Sequence, residues 1–262
     1  MQLLKITHHN WAEAFYITLA HNFGFHTNSL PFETLALCTP LAYLLKHRNS
    51  LFQVTAILLG QSGLLNEQTI KNEEEAALLR EYQFLKQKFS LQPMAALLWK
   101  RARLRPQNAP QIRIRQFAQL ICQSEWLLSQ MLVQPTVNDW RQLLCLQLPT
   151  TSAKDTQSII SAPPAIGKKS IDILLINTLL PYRYAYALAH SDTTAAQMAL
   201  TLMQQIPAED NTIIRQWRLL GQQVTSAADT QALIHLYQHY CQNERCIHCE
   251  VGQQVFLLNH IS

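Results

Sequence analysis

The chain has 262 residues, 48% hydrophobic and 15% charged, with a formal net charge of +4 at pH 7. Such a length buries a real core, as one large domain or two small ones, and the composition is that of a globular protein and not of a disordered tail. The mild positive charge permits an acidic partner without requiring one, so the distribution of cations matters more than their sum.

The opening segment, MQLLKITHHNWAEAFY, lacks the charged head, apolar run and small-residue cleavage site of a secretory signal, which predicts a cytoplasmic protein. Apolar residues at the 3.6-residue period then predict helices over 10–23, 31–38, 40–48 and 50–60. In TPLAYLL, Thr39 reads as an N-cap with Pro40 at the first helical position. Glycines 24, 60, 63, 167, 221 and 252 all stand where an apolar helical pattern stops, as C-cap and loop residues do. Histidines 8, 9, 21 and 26 read as surface or helix-end residues. A long helix is predicted over 67–89, where Leu78, Tyr82, Leu85 and Phe89 form one stripe. Glu73, Glu74 and Glu75 fall in its first half, where the helix dipole favours negative charge, and read as a solvated helix start.

A basic stretch follows. Between Glu81 and Glu125 stand Lys86, Lys88, Lys100, Arg101, Arg103, Arg105, Arg113 and Arg115, with no acidic residue among them. After a short helix at 93–99, WKRARLRPQNAPQIRIRQ sets arginines 101 to 105 near a loop and Arg113 and Arg115 at the start of the next helix. Arginine offers a bidentate fork to phosphate, and free amides at a helix start add to the attraction. Lys100, Arg101, Arg103, Arg105, Asn108, Arg113 and Arg115 are therefore the candidate contacts to nucleic acid or another polyanion. The competing readings are that the arginines clamp carboxylates elsewhere in the chain or decorate a solvated face, and that Asn108 is a structural turn residue.

Helices at 110–133 and 136–147 come next, and then a Ser-, Thr-, Pro- and Ala-rich segment over 149–168 reads as a linker or loop. It separates an N-terminal helical subdomain, 1–150, carrying the basic loop, from a C-terminal one, 168–262, ending in a cysteine cluster. The longest apolar run, IDILLINTLLPYRYAYALA, carries Asp172, Asn177, Arg183 and Pro181, costly in lipid, and so predicts a buried helix over 169–189 and no membrane span. Tyr182, Tyr184, Tyr186 and Trp217 sit at helical spacings that fit core packing. Further helices are predicted over 193–205, 211–221 and 226–241. The fold class is all-α, an irregular multi-helix array of about 10–12 helices.

YCQNERCIHCEVG near the end places Cys241, Cys246 and Cys249 beside His239 and His248. Cys-x2-Cys is the short spacing of a zinc knuckle, so these three thiols are the candidate ligands of one structural zinc ion. His235, His239, His248 and His260 compete for the fourth position without a spacing that selects among them. Unliganded thiols packed at a helix end are the alternative, and an iron–sulfur loop lacks its fourth cysteine. Cys38, Cys122 and Cys145 read as small buried residues. No P-loop, dinucleotide fingerprint, nucleophile elbow or H-E-x-x-H occurs, and no Asp or Glu has a Lys two positions on.

Taken in order, NWAEAFYITLAHNFGF, LLKHRNSLFQVTAILLGQSG, LWKRARLRPQNAPQIRI, INTLLPYRYAYA, NTIIRQWRLLG and QALIHLYQHYCQNERCIHCEVG resemble a bacterial protein family of unknown function. The resemblance implies that Arg103, Arg105, Asn108, Arg113 and the three clustered cysteines belong to the family pattern. It also implies that longer members carry an N-terminal region similar to the PD-(D/E)XK nuclease core, which this chain lacks. The expected function is a nucleic-acid- or polyanion-binding accessory module without catalytic activity of its own, partnering a nuclease-like domain or protein. The alternatives are a scaffold whose apolar faces pack on a partner domain, and an enzyme whose site is assembled only by folding.

Overall fold

In a computed structural model of the protein, the described residues are 2–123, 127–133, 135–145 and 161–259. Among them the fold is all-helical, with fifteen α-helical segments and no strand. Two compact units divide the chain, Met1–Tyr182 and Arg183–Ser262. Of the linker expected over 149–168, residues 149–160 lie outside the described residues.

The first unit begins with α1 (Gln2–Ile6), α2 (Trp11–Phe23), α3 (Ser29–Leu37), α4 (Leu41–Lys46), α5 (Leu51–Gln61) and α6 (Glu73–Phe89). Short polar side chains start them: Asn10 accepts from the amides of Ala12 and Glu13, Ser50 from Gln53, and Asn72 from Glu75. Each satisfies amides that a helix start leaves without a partner. The cap at Asn72 also explains why α6 starts later than the expected 67. Asn66 and Thr69 instead fold 66–69 into a turn, with the Asn66 side chain accepting from the Gln68 amide and the Asn66 amide donating to Thr69.

Thr39 is not the N-cap of α4. Pro40 holds that position without a side-chain bond, while the buried Thr39 offers its carbonyl to the Tyr16 hydroxyl at 3.1 Å. Gly60 is the last residue but one of α5, at the helix end where the apolar pattern stops, and it also meets the neighbouring helix. A Cβ there would stand 2.1 Å from Cγ of Tyr82, so this glycine lets α6 lie directly on α5. The same contact brings the Tyr82 hydroxyl to Gln61 Oε1 at 2.9 Å, and Gln61 Nε2 donates to the Cys38 carbonyl at 2.8 Å.

Only a 3-10 turn at Ala96–Leu98 forms within the expected helix 93–99 among the described residues, and Pro106–Asn108 makes a second one. Then come α7 (Pro110–Gln123), α8 (Leu127–Val133), α9 (Val137–Leu144) and α10 (Lys168–Leu174); a π-helical turn at Leu175–Leu179 leads into α11 (Leu180–Ala189). The core lies among α2, α3, α5 and α7. Phe23, Phe32 and Phe117 are almost fully buried there, with Phe23 and Phe117 ring centroids 5.1 Å apart and Trp99 edge-on to Phe32 at 5.2 Å.

The second unit contains α12 (Thr193–Gln204), α13 (Thr212–Leu219), α14 (Ala227–Leu236), a π-helical turn at Tyr237–Cys241, a 3-10 turn at Cys246–His248 and α15 (Glu250–Asn259). Ala196, Ala199, Leu202, Ile206, Ile214 and Ala227 form its core. A capping box starts α14, with Ser226 and Asp229 each accepting from the other's backbone amide. No helix among the described residues is long and apolar enough to cross a membrane.

Candidate anion-binding site

The basic loop is fixed at both ends. At its start the Trp99 indole N–H donates to the Ser62 carbonyl at 2.9 Å, in the core. One residue on, the buried Asn28 side chain grips Lys100 twice, accepting from its amide at 2.9 Å and donating to its carbonyl at 3.1 Å. At its end the turn Pro106–Asn108 closes through the Asn108 amide to the Arg105 carbonyl, 2.8 Å, and α7 begins at Pro110. Between these anchors Lys100, Arg101, Arg103 and Arg105 are exposed. No ion pair to a carboxylate occupies any of the four among the described residues. Arg103 is held at φ 60°, in the left-handed region. The loop is therefore a placed array of cations.

The other three candidates separate. Arg115 is paired with Glu74, both side chains mostly buried, and Ser161 donates to the second Glu74 oxygen at 2.8 Å. That pair locks α7 to α6 and takes Arg115 out of the exposed set. It also corrects the reading of the acidic triplet, since Glu74 is an ion-pair partner and the Glu75 side chain accepts from the Lys71 amide at 2.8 Å. Asn108 accepts from Arg113 Nη2 at 2.7 Å, so it is a positioning residue as well as a turn residue.

Arg113 is half-buried with no carboxylate partner among the described residues. Its Nη1 donates to Gln116 Oε1 at 3.0 Å, and its guanidinium lies 4.2 Å from the Phe25 ring centroid. Gln116 is fixed in turn by donating to the Pro164 carbonyl at 2.7 Å. Burial pushes the Arg113 guanidinium below the usual arginine range, because desolvation penalises its charge. Beside it opens a cavity of about 290 Å³, lined among others by Phe25, Asn28, Arg105, Asn108, Arg113 and Ser170. Phe25, which lines the cavity, and the adjacent His26 both have positive φ, 45° and 66°. Two adjacent non-glycine residues in that region cost of order 1–3 kcal/mol each, a strain that collects at ligand-holding sites. Gly24 makes the turn fit, since a Cβ there would lie 2.3 Å from the Asn28 backbone.

The cysteine cluster is less assembled. Cys241 ends the π-helical turn and is exposed, Cys246 is exposed, and Cys249 is buried. Burial, and then the Cys249 and Cys246 thiols, raise the Cys241 pKa, so the three are electrostatic neighbours. His235 and His239 lie with ring centroids 4.2 Å apart. No group of three or more His, Cys, Asp or Glu is placed to hold one metal ion among the described residues. The arrangement does not display the expected knuckle.

Sequence reasoning singled out the arginines and Asn108 but missed Phe25, Asn28 and Gln116, which fix them. Asn28 lies 72 residues from Lys100, and nothing in its local sequence marks the contact.

Fold and site together define an all-helical protein with an arginine-lined cavity beside an exposed basic loop. Residues 1–212 match the model of a family described as "Protein of unknown function (DUF2851)", and the chain belongs to that family. The match takes in the loop and the cavity and ends before the cysteine cluster. No curated protein and no solved structure matches the chain.

Proposed function

We propose that the protein is a polyanion-binding module whose natural ligand is nucleic acid, engaged by Lys100, Arg101, Arg103 and Arg105. The observation that carries the reading is the anchored loop itself: four exposed cations, unpaired among the described residues, between fixed points at Asn28 and Asn108. A loop that only solvated the surface has no need of such anchoring, and internal clamps look like the Arg115–Glu74 pair. Contacts of this kind read phosphate and not base sequence, so they give affinity with little sequence preference.

The test is binding of a fluorescent oligonucleotide by the Arg103→Ala plus Arg105→Ala variant. Because both side chains are exposed, the variant is expected to fold as the parent and bind more weakly, with a salt dependence flattened by about 1.4 in log–log slope on single strands. Equal affinity and equal slope would remove the loop from the interface.

A second reading is favoured by Leu219 and Leu220 at the end of α13, 87% and 77% exposed, and by Leu97, 85% exposed beside the basic loop. Apolar residues so open suit a protein partner, such as a nuclease-like domain supplied by another chain. Substituting Leu219 and Leu220 with serine then lowers self-association or partner capture without changing oligonucleotide affinity.

A further inference from the structure

We infer that the cavity lined by the half-buried Arg113 is a receptor for a terminal phosphate monoester, the phosphorylated end of a strand whose backbone the basic loop holds; this rests on the polyanion reading above. The cavity runs from an exposed rim at Arg105 and Gln107 to a buried floor at Phe32 and Asn28. A guanidinium carries five N–H donors. Arg113 commits Nη2 to Asn108 and Nη1 to Gln116, leaving three without a partner among the described residues. Phe25 backs one face of the guanidinium at 4.2 Å, and the two amide partners set the fork's rotation. A half-buried, oriented, uncompensated cation is stabilised by an anion that enters with its own acceptors.

The shape selects the kind of phosphate. An internal phosphodiester carries one negative charge and two ester links, both of which must leave a recess along the strand. A monoester carries between one and a half and two charges at neutral pH, about three acceptor oxygens and one link, so it enters from a single side. Arg105 stands at the rim and is also one of the loop cations, which joins the recess to the strand-binding surface. Ser170 lines the same cavity and follows the exposed Lys168 and Lys169, adding further positive potential.

The experiment compares one single-stranded oligonucleotide with a 5′-phosphate, a 3′-phosphate or hydroxyls at both ends, labelled internally, in anisotropy titrations at fixed salt. One phosphorylated end is expected to bind roughly tenfold tighter or more, the effect of one charge-assisted bond. Arg113→Lys, which keeps charge but loses the fork, is expected to erase that preference, read as the ratio of phosphorylated to hydroxyl-ended affinity measured on the same variant. Asn108→Asp is the second variant, because a carboxylate against Arg113 satisfies the cation internally without emptying the site, and it too is expected to erase the preference in a folded protein. A mononucleotide that competes as strongly as the phosphorylated strand assigns the same phosphate-monoester chemistry to free nucleotides. Equal binding of all three strands overturns the terminal-phosphate site and leaves the loop reading standing. Failure of every strand to bind overturns both.

Discussion

Replacing Asn28 with alanine separates the placement of the basic loop from its charge. Asn28 is 4% exposed, and its side chain makes two hydrogen bonds to the Lys100 backbone, at 2.9 and 3.1 Å. Each is worth roughly 0.5–1.5 kcal/mol net, and because Lys100 is exposed, water re-solvates part of what is lost. The expected destabilisation is about 1–2 kcal/mol, a Tm lowered by about 2–8 °C for a chain of this size. No cation is removed, so the number of phosphates neutralised is unchanged and the log–log salt slope stays the same. Affinity falls at every salt concentration by roughly tenfold, since the freed loop must be ordered on binding. Urea denaturation followed by circular dichroism gives the first quantity, and oligonucleotide anisotropy over a salt series gives the other two. A variant with parental stability and affinity would refute the claim that Asn28 positions the loop. A flattened slope would show that Asn28 controls which cations reach phosphate and would contradict a role confined to loop placement.

Other substitutions follow from the same contacts. Arg115→Ala leaves the mostly buried Glu74 carboxylate without its counter-charge and lowers stability by about 1–3 kcal/mol in urea denaturation, while oligonucleotide binding stays at the parental level. Gly60→Ala drives a methyl into the Tyr82 ring; overpacking of about 1–3 kcal/mol exceeds the helix-propensity gain of about 1 kcal/mol, so Tm falls, and a rise in Tm would contradict the packing of α5 on α6. Asp229, which accepts amides from Thr225 and Ser226, has its pKa lowered chiefly by those bonds. Its contribution is therefore present above the unfolded carboxylate value and lost as pH falls through the lower folded value, and an Asp229→Asn variant shows a smaller loss across that acid window in thermal melts. For the cysteine cluster, a structural zinc predicts about one equivalent per chain by elemental analysis, lost together with thermal stability in Cys246→Ser plus Cys249→Ser. A native protein that contains no metal leaves Cys241, Cys246 and Cys249 as unliganded thiols, of which only Cys249 is buried.

The all-helical class was readable because helical signals are local: an apolar period, a capping side chain and a few glycines. Of the stripe Leu78, Tyr82, Leu85 and Phe89 on α6, the first three are buried as the period implies and Phe89, at the helix end, is half-buried. Boundaries failed where local chemistry competed, as at Asn66, whose turn delays α6, and at Thr39, whose carbonyl answers Tyr16 instead of starting α4. Two helices, α1 and α15, had no sufficient periodic signal. The candidate site was half legible. A run of cations without anions is visible in one dimension, but the sorting of Arg115 to Glu74, Arg113 to Asn108 and Lys100 to Asn28 depends on contacts across 41, 5 and 72 residues. Glycine 60 does stand at the end of α5, but its second role, admitting the Tyr82 ring, depends on a contact 22 residues away that local sequence does not mark.

The most direct test of the account is the salt dependence of oligonucleotide binding by the intact protein. Four anchored cations, Lys100, Arg101, Arg103 and Arg105, predict a log–log slope of about −3 on single-stranded DNA, steepening slightly on duplex. Absent binding at low salt, or an affinity that does not change between about 50 and 200 mM salt, would contradict it.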